Sequence, residues 1–282
     1  MTIQNKVFDF FLFTSFYIAV CAVLMVNQTY ILLVQKPVDV HFLAFVFFST
    51  VSSYNFHWLF TPRSANPSSR LNWSFQHKGY HLFLFIAGLL FSFYFFLNFI
   101  NEWFWIGIAT LLTFMYSAPK IPYKTFLRLK KYAFGKTIFL AAVWTYVTVV
   151  LPLQTEHVSW TGRSVLFCAG QFFFIFSICI LFDYRDREDD KAEGIRSLIV
   201  YLSEKEVNRL FAFSLILSAA LFFLLLKEAV YPATVFILVI PLLLLSLLYN
   251  YSKKNFSDYL YYFILDGLMM LSGFILWIMS WF

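Results

Sequence analysis

The densest group of ionisable side chains in this 282-residue sequence lies between Asp183 and Glu206, which holds eight of its fifteen acidic residues. Within it, Asp183, Asp186 and Asp190 follow the spacing i, i+3, i+7, and residues so spaced share one face of a helix. Neighbouring carboxylates repel one another, and a divalent cation relieves that repulsion. Because Mg²⁺ commonly takes one or two carboxylates together with substrate phosphate oxygens, the spacing predicts a platform for Mg²⁺ and a diphosphate.

A second interpretation of the same segment remains open, in which it is a solvated charged loop. Arg185, Arg187 and Lys191 alternate with the acids and could neutralise them without any metal. The spacing alone therefore fits both a metal site and a loop whose charges are paired internally.

Polar residues also stand within or beside apolar stretches, where such residues tend to be functional. Tyr54, Asn55 and His57 lie at the end of one stretch. Asn55 and His57 are predicted to contact the substrate, although Tyr, His and Trp58 here also fit an interfacial belt. Asp266 lies inside the last apolar stretch and must face the protein interior rather than lipid. A buried structural hydrogen bond is the other interpretation of Asp266.

The composition decides what kind of chain carries these residues. Hydrophobic types make up 61%, aromatic residues 23% and charged residues only 13%, whereas soluble domains carry about 25% charged residues. This excludes a soluble enzyme, a disordered tail and a nucleic-acid-binding module, so no nucleic-acid partner is expected. It predicts an all-α, polytopic transmembrane helical bundle.

Apolar stretches of about 20 residues, the length that crosses a bilayer, mark the candidate spans. The sequence predicts about nine: Phe10–Leu33, Val40–Phe60, Tyr80–Phe99, Trp103–Tyr116, Ala133–Leu153, Ser164–Phe182, Leu210–Leu226, Thr234–Tyr249 and Tyr259–Trp281. With this count, seventeen of the 21 lysines and arginines fall on the side of the N-terminus and three on the other, and Lys136 lies in the fifth span. Since cytoplasmic loops are enriched in Lys and Arg, the N-terminus is predicted to be cytoplasmic and the C-terminus to lie on the opposite side.

Two segments resemble one known family. The stretch from Asp183 to Leu198 is similar to the second aspartate-rich motif of the UbiA family of intramembrane prenyltransferases, roughly DxxDxxxD followed by Gly and Thr/Ser-Leu. Tyr116-Ser-Ala-Pro119 and the basic stretch Lys120–Lys131 resemble the loop after the fourth span of that family.

The resemblance implies a single transmembrane domain, residues 1–282, with helices around a central cavity. A polyprenyl diphosphate enters from the lipid, aspartate motifs hold Mg²⁺ against its diphosphate, and an aromatic or other lipophilic acceptor captures the allylic cation. Carried over by position, Asp183, Asp186 and Asp190 are the catalytic metal–diphosphate ligands. Contacts to the substrate are implied for Tyr116, Lys120, Lys124 and Arg128.

The first aspartate-rich motif of the family is missing. It belongs at the end of the second span, where this sequence has Asn55 and His57, and no acidic residue lies between Asp39 and Glu102. Asn55 stands in the position of the family's Asn, or Asn55 and His57 replace ligands without negative charge. A Mg²⁺ site weaker than in relatives with two motifs is therefore expected.

Three functions remain open at this point. The first is a prenyltransferase with altered metal use, and the second is a non-catalytic protein of the same fold that binds a lipid or a partner. The third is a transporter with Asp9 and Asp266 on an ion path, but the acids concentrate in one loop rather than at the bilayer midplane where coupling sites are expected. The sequence gives no indication of an oligomeric state.

Overall fold

The structure is a computed structural model that describes residues 3–62, 68–121, 136–192 and 197–281. The described residues form helices and no strand, which confirms the predicted all-α fold class. A helix suits these apolar sequences because it satisfies every backbone polar group within one segment. The helices are α1 (Ile3–Phe13), α2 (Phe16–Thr29), α3 (Val40–Phe60), α4 (Ser69–Gln76), α5 (Lys78–Phe96), α6 (Trp103–Ser117), α7 (Lys136–Thr145), α8 (Leu151–Thr155), α9 (Gly162–Arg185), α10 (Arg187–Ala192), α11 (Leu198–Tyr201), α12 (Glu204–Leu224), α13 (Pro232–Ser252) and α14 (Asp266–Met279).

Seven helical stretches in the described part of the chain are long and apolar enough to cross a membrane. One of them, Lys78–Ser117, is 40 residues long and contains both α5 and α6, about twice the length that a bilayer requires. The 21-residue α3 is not among the seven, yet its length also suits a crossing. An integral, multi-pass membrane protein is thereby confirmed, and the count of nine spans is approximate.

The long stretch Lys78–Ser117 folds back on itself. Its helical geometry breaks at Phe99, whose φ of −123° and ψ of 28° are not helical. The ring of Phe56 in α3 lies 5.3 Å from that of Phe85 near the start of α5 and 6.2 Å from that of Phe114 near the end of α6. One residue can reach both only if α5 and α6 form an antiparallel hairpin, so this stretch supplies two of the predicted spans.

Loops that were predicted to share a side of the membrane do meet in the structure. At one end of the bundle, Lys253 pairs with Glu204 at 2.5 Å and thereby joins two loops assigned to the cytoplasmic side. At the other end, Lys36 pairs with Glu156 at 3.3 Å and joins two loops assigned to the opposite side. The two groups of loops therefore occupy opposite ends. The side that each end faces stays a prediction.

Close approach of α2 and α14 depends on Gly273, which gives a test of the packing. A methyl group added at Gly273 would lie 2.4 Å from the backbone oxygen of Leu24 in α2. Because that atom belongs to the backbone, the two helices would have to move apart to relieve the clash. We expect Gly273→Ala to destabilise the protein by about 1–3 kcal/mol, the usual cost of overpacking. Thermal unfolding in detergent measures this as a lower midpoint temperature.

Gly107 in α6 offers the matched control, because nothing lies within 4 Å of a methyl group added there. Gly107→Ala should leave the midpoint unchanged or raise it slightly, since alanine favours helix over glycine. Equal midpoints for the two variants would contradict the observed contact between α2 and α14.

Candidate functional site

The acidic motif lies at the end of the bundle where α9 stops. Asp183 is in the last turn of α9, Asp186 caps that helix, and Asp190 is in the short α10. The backbone N–H of Asp190 donates to the carbonyl of Asp186 at 2.8 Å, which forms the first turn of α10. Asp183 and Asp190 are buried, whereas the side chains of a solvated charged loop would be exposed.

Lys136, at the start of α7, binds two of the three motif carboxylates. Its Nζ lies 3.4 Å from Oδ1 of Asp183 and 3.6 Å from Oδ2 of Asp190. The neighbouring Thr137 hydroxyl donates a hydrogen bond to the other oxygen of Asp183. Burial, together with the charges of Asp183 and Asp186, raises the pKa of Asp190 despite Lys136. The structure thus brings Asp183 and Asp190 together around an ammonium group.

Asp186 turns to a different partner. Its Oδ1 accepts a hydrogen bond from Nε of Arg185 at 2.8 Å, and Nη2 of Arg185 donates to the Tyr262 hydroxyl at 2.9 Å. Burial alone would raise the pKa of Asp186, but Arg185 and Lys136 outweigh it and hold the pKa below its ordinary value. Within the described ranges, no three His, Cys, Asp or Glu side chains are grouped so that they could hold a metal ion.

The two residues predicted at the end of α3 have different surroundings. Asn55 is fully buried; its amide nitrogen donates to the carbonyls of Thr14 and Val51, and its Oδ1 lies 2.7 Å from Nδ1 of His81. This network uses both ends of the Asn55 amide.

His57 and Tyr116 form a stacked aromatic pair. Their rings are 5.3 Å apart with an interplanar angle of 10°, and Nδ1 of His57 lies 3.2 Å from the Ser117 hydroxyl. Nearby, Lys120 donates from Nζ to the Thr61 hydroxyl at 2.8 Å. Three of the predicted substrate contacts, His57, Tyr116 and Lys120, therefore lie together between the ends of α3 and α6.

Two further residues carried over from the family motif, Lys124 and Arg128, lie outside the described residues. Their predicted contacts with a diphosphate stay predictions.

Arg70 in α4 is a residue that sequence reasoning missed. Only 3% of it is exposed, its backbone N–H donates to Asp258 at 2.7 Å, and its Nη2 donates to the Ser15 hydroxyl at 3.2 Å. Its guanidinium lies 4.0 Å from the ring centroid of Tyr262 and 4.3 Å from that of Trp58. In the sequence Arg70 is one more cation in a loop that the positive-inside rule already explains, so no signal distinguished it.

The buried carboxylate of Asp266, at the start of α14, completes the charges near this site. It interacts electrostatically with both Arg70 and Arg185. Asp266 therefore faces the protein interior, as its place inside an apolar span required.

An apolar groove of about 480 Å³ lies between α5 and α6. Its lining is almost entirely hydrophobic and extends along α6 as far as Phe114, two residues before Tyr116. The lining residues are Phe45, Leu89, Ser92, Phe93, Phe96, Trp103, Ile106, Gly107, Thr110, Leu111 and Phe114.

Comparison with known protein families shows to which family the chain belongs. The model of the UbiA prenyltransferase family matches residues 75–265, more than half of the chain. The chain belongs to the UbiA prenyltransferase family. The UbiA match includes the loop at Tyr116, Lys136 and the acidic motif, and it begins after Asn55 and His57, where the first aspartate motif is missing. No curated protein and no solved structure matches the chain.

UbiA enzymes generally use Mg²⁺ through aspartate-rich motifs, and the donor types of one such motif are present here. Carboxylate oxygens are the ligands that Mg²⁺ prefers, and Oδ2 of Asp190 is buried without a hydrogen bond from the described residues. These residues fit one Mg²⁺ in their chemistry. Lys136 competes with it, because the ammonium must withdraw from Asp183 and Asp190 before a metal can bind between them.

Proposed function

We propose that this chain is an integral-membrane prenyltransferase, which transfers a polyprenyl group from a prenyl diphosphate to an aromatic or other lipophilic acceptor. The observation that carries the proposal is a cluster of charged side chains at one end of a helical bundle that has an apolar groove along α5 and α6. Lys136, Lys120 and the acidic motif form the charged end, and the groove runs along α6 as far as Phe114. An amphiphile with a diphosphate head and an isoprenoid tail matches this arrangement.

The cations of the site would bind and orient the diphosphate, with Lys124 and Arg128 as further contacts. Asp183 and Asp190 would hold Mg²⁺ together with diphosphate oxygens, and the metal would stabilise the charge of the leaving diphosphate. Because Lys136 and Arg185 pair with the acids, Mg²⁺ affinity without diphosphate should be weaker than in relatives with two motifs.

Departure of the diphosphate leaves an allylic cation, which needs stabilisation and protection from water. The stacked rings of His57 and Tyr116 lie at the charged end of the bundle, and an aromatic face attracts a cation. The hydrophobic lining of the groove excludes water, so that the lipophilic acceptor rather than water captures the cation. We place the charged end of the bundle on the cytoplasmic side, because the cationic loops collect there.

The test uses the purified full chain in detergent, with geranylgeranyl diphosphate and geranylgeraniol as ligands, with MgCl₂ or with EDTA. We expect the diphosphate to bind at least about tenfold tighter than the alcohol, since charge-assisted hydrogen bonds contribute about 1.5–3 kcal/mol each. Asp183→Asn and Asp190→Asn should weaken the part of this binding that depends on Mg²⁺. The matched control is Asp189→Asn, an exposed carboxylate on the same helix as Asp190.

Transfer is then measured by release of inorganic diphosphate in the presence of a panel of phenolic and quinol acceptors. Equal affinity for the diphosphate and the alcohol would overturn the proposal. Tight diphosphate binding with no transfer to any acceptor would favour a non-catalytic UbiA protein that binds a lipid or a partner. The observation that favours this second function is the pairing of Lys136 with two motif carboxylates, because Lys136 neutralises them without a metal ion.

A further inference from the structure

Arg70 is held between two aromatic rings at the end of α3, where the first acidic motif would stand. Its guanidinium carbon lies 4.3 Å from the ring centroid of Trp58 and 4.0 Å from that of Tyr262. The two rings meet edge to face with their centroids 6.1 Å apart, so the guanidinium lies in the angle between them and its N–H groups stay available to other partners.

The same two rings hold two other cations. Nζ of Lys120 lies 5.7 Å from the centroid of Trp58, and the guanidinium carbon of Arg185 lies 4.9 Å from that of Tyr262. Three positive charges therefore converge on one pair of rings. We call these five residues, Arg70, Lys120, Arg185, Trp58 and Tyr262, the cation cluster.

Unpartnered donors mark the cation cluster as a place for an anion. Nε of Arg70, Nη1 of Arg185 and Nε1 of Trp58 are buried and have no hydrogen-bond acceptor among the described residues. A buried donor without a partner costs about 1–3 kcal/mol. All three groups are N–H donors, so a ligand with several acceptor oxygens would satisfy them, whereas a cation or a neutral apolar group would not.

Three carboxylates lie near these three cations, but none of them accepts a hydrogen bond from Nε of Arg70, Nη1 of Arg185 or Nε1 of Trp58. Asp186 is hydrogen-bonded to Arg185, and Asp266 interacts electrostatically with Arg70 and Arg185. Asp258 accepts the backbone N–H of Arg70 at Oδ2, its Oδ1 is buried without a hydrogen bond from the described residues, and its charge acts on Arg70. Burial lowers the pKa of Arg70 despite these acids, and a bound anion would stabilise its charged form.

We propose that the cation cluster binds a phosphate group of the prenyl diphosphate directly, in the place where the missing first motif would have held a metal ion. This inference rests on the proposed function and names Arg70 as a substrate-binding residue. Guanidinium groups bind phosphate through paired N–H donors. Part of the diphosphate affinity is then independent of Mg²⁺.

The deciding experiment measures binding of geranylgeranyl diphosphate to the full chain in detergent containing EDTA. The wild-type protein should bind it without divalent metal, and Arg70→Gln should lose about tenfold or more in affinity. Arg70→Lys, which keeps the charge but not the paired donors, should lie between them. Arg163→Gln is the matched control, because that guanidinium donates to the backbone of Glu228 at the opposite end of the bundle.

A second variant separates binding from folding. Trp58→Phe keeps an aromatic ring under Arg70 and removes the unpartnered Nε1–H, so it should fold normally and bind several-fold more weakly. If Arg70→Gln and Trp58→Phe both bind as wild type does in EDTA, the inference is wrong. Binding of the wild type only with Mg²⁺ would also overturn it and would leave the proposed function standing.

Phosphate could also come from a membrane lipid, so phosphatidic acid is tested as a competitor. Little displacement of the prenyl diphosphate by an equal amount of phosphatidic acid is expected. Displacement of half or more would assign the cation cluster to lipid headgroups and would overturn its role with the substrate. Failure of the diphosphate to bind better than geranylgeraniol, with or without Mg²⁺, would instead reject the proposed function itself.

Discussion

Replacing Lys136 with methionine is expected to lower the free energy of unfolding by about 3–5 kcal/mol, the usual cost of removing one partner from a buried ion pair. Methionine has nearly the same length but no charge, so Asp183 and Asp190 would be left close together without a counter-ion. The midpoint of thermal unfolding in detergent should fall accordingly. The loss should be largest in EDTA.

Added Mg²⁺ should restore much of that stability, because a divalent cation can take the place of the ammonium between Asp183 and Asp190. The wild-type protein should respond less to Mg²⁺, since Lys136 already occupies that place. Lys36→Met is the control; Lys36 is 59% exposed in its pair with Glu156, and surface pairs contribute about 0–1 kcal/mol. If Lys136→Met unfolds at the wild-type temperature and Mg²⁺ shifts neither protein, Lys136 is not the counter-ion of the motif.

Restoring a carboxylate at the missing first motif is expected to damage the protein rather than improve its metal binding. In Asn55→Asp, the amide nitrogen that donates to Thr14 and Val51 is lost, and a negative charge faces their carbonyl oxygens. Only His81, 2.7 Å from Oδ1, could compensate by donating a proton. We expect a loss of about 3 kcal/mol or more in the free energy of unfolding.

The control for Asn55→Asp is Asn98→Asp, an exposed amide at the end of α5 with one hydrogen bond to the backbone of Phe95. Its unfolding midpoint should stay within a degree or two of wild type, since exposed substitutions usually change stability by less than about 0.5 kcal/mol. An Asn55→Asp protein that is as stable as wild type and binds Mg²⁺ more tightly would show that position 55 is open to the site. That result would identify a degraded two-metal enzyme.

The membrane fold was predictable because its two strongest signals are local in sequence. Apolar length and the distribution of Lys and Arg located the helices, and the fold-back at Phe99 falls at the end of the third predicted span. The acidic motif was predictable from its spacing, which brought Asp183 and Asp190 together.

The partners of that motif were not predictable, because they come from distant parts of the chain. Lys136 begins a helix 47 residues before Asp183 in the sequence, and nothing in its local pattern indicates a counter-ion for buried carboxylates. Arg70 meets Tyr262 only through the tertiary fold. Asn55 had the position of a ligand, yet a neighbouring helix, through His81, supplies the partner that its side chain oxygen uses.

The groove between α5 and α6 bears on how a substrate would arrive. Several of its lining residues, among them Leu89, Phe93 and Trp103, are exposed on the outer face of the hairpin, and in a membrane that face meets lipid. A prenyl chain could then reach the groove by lateral diffusion within the bilayer, without crossing water. Saturation of the protein would depend on the mole fraction of the isoprenoid in the membrane rather than on its bulk concentration.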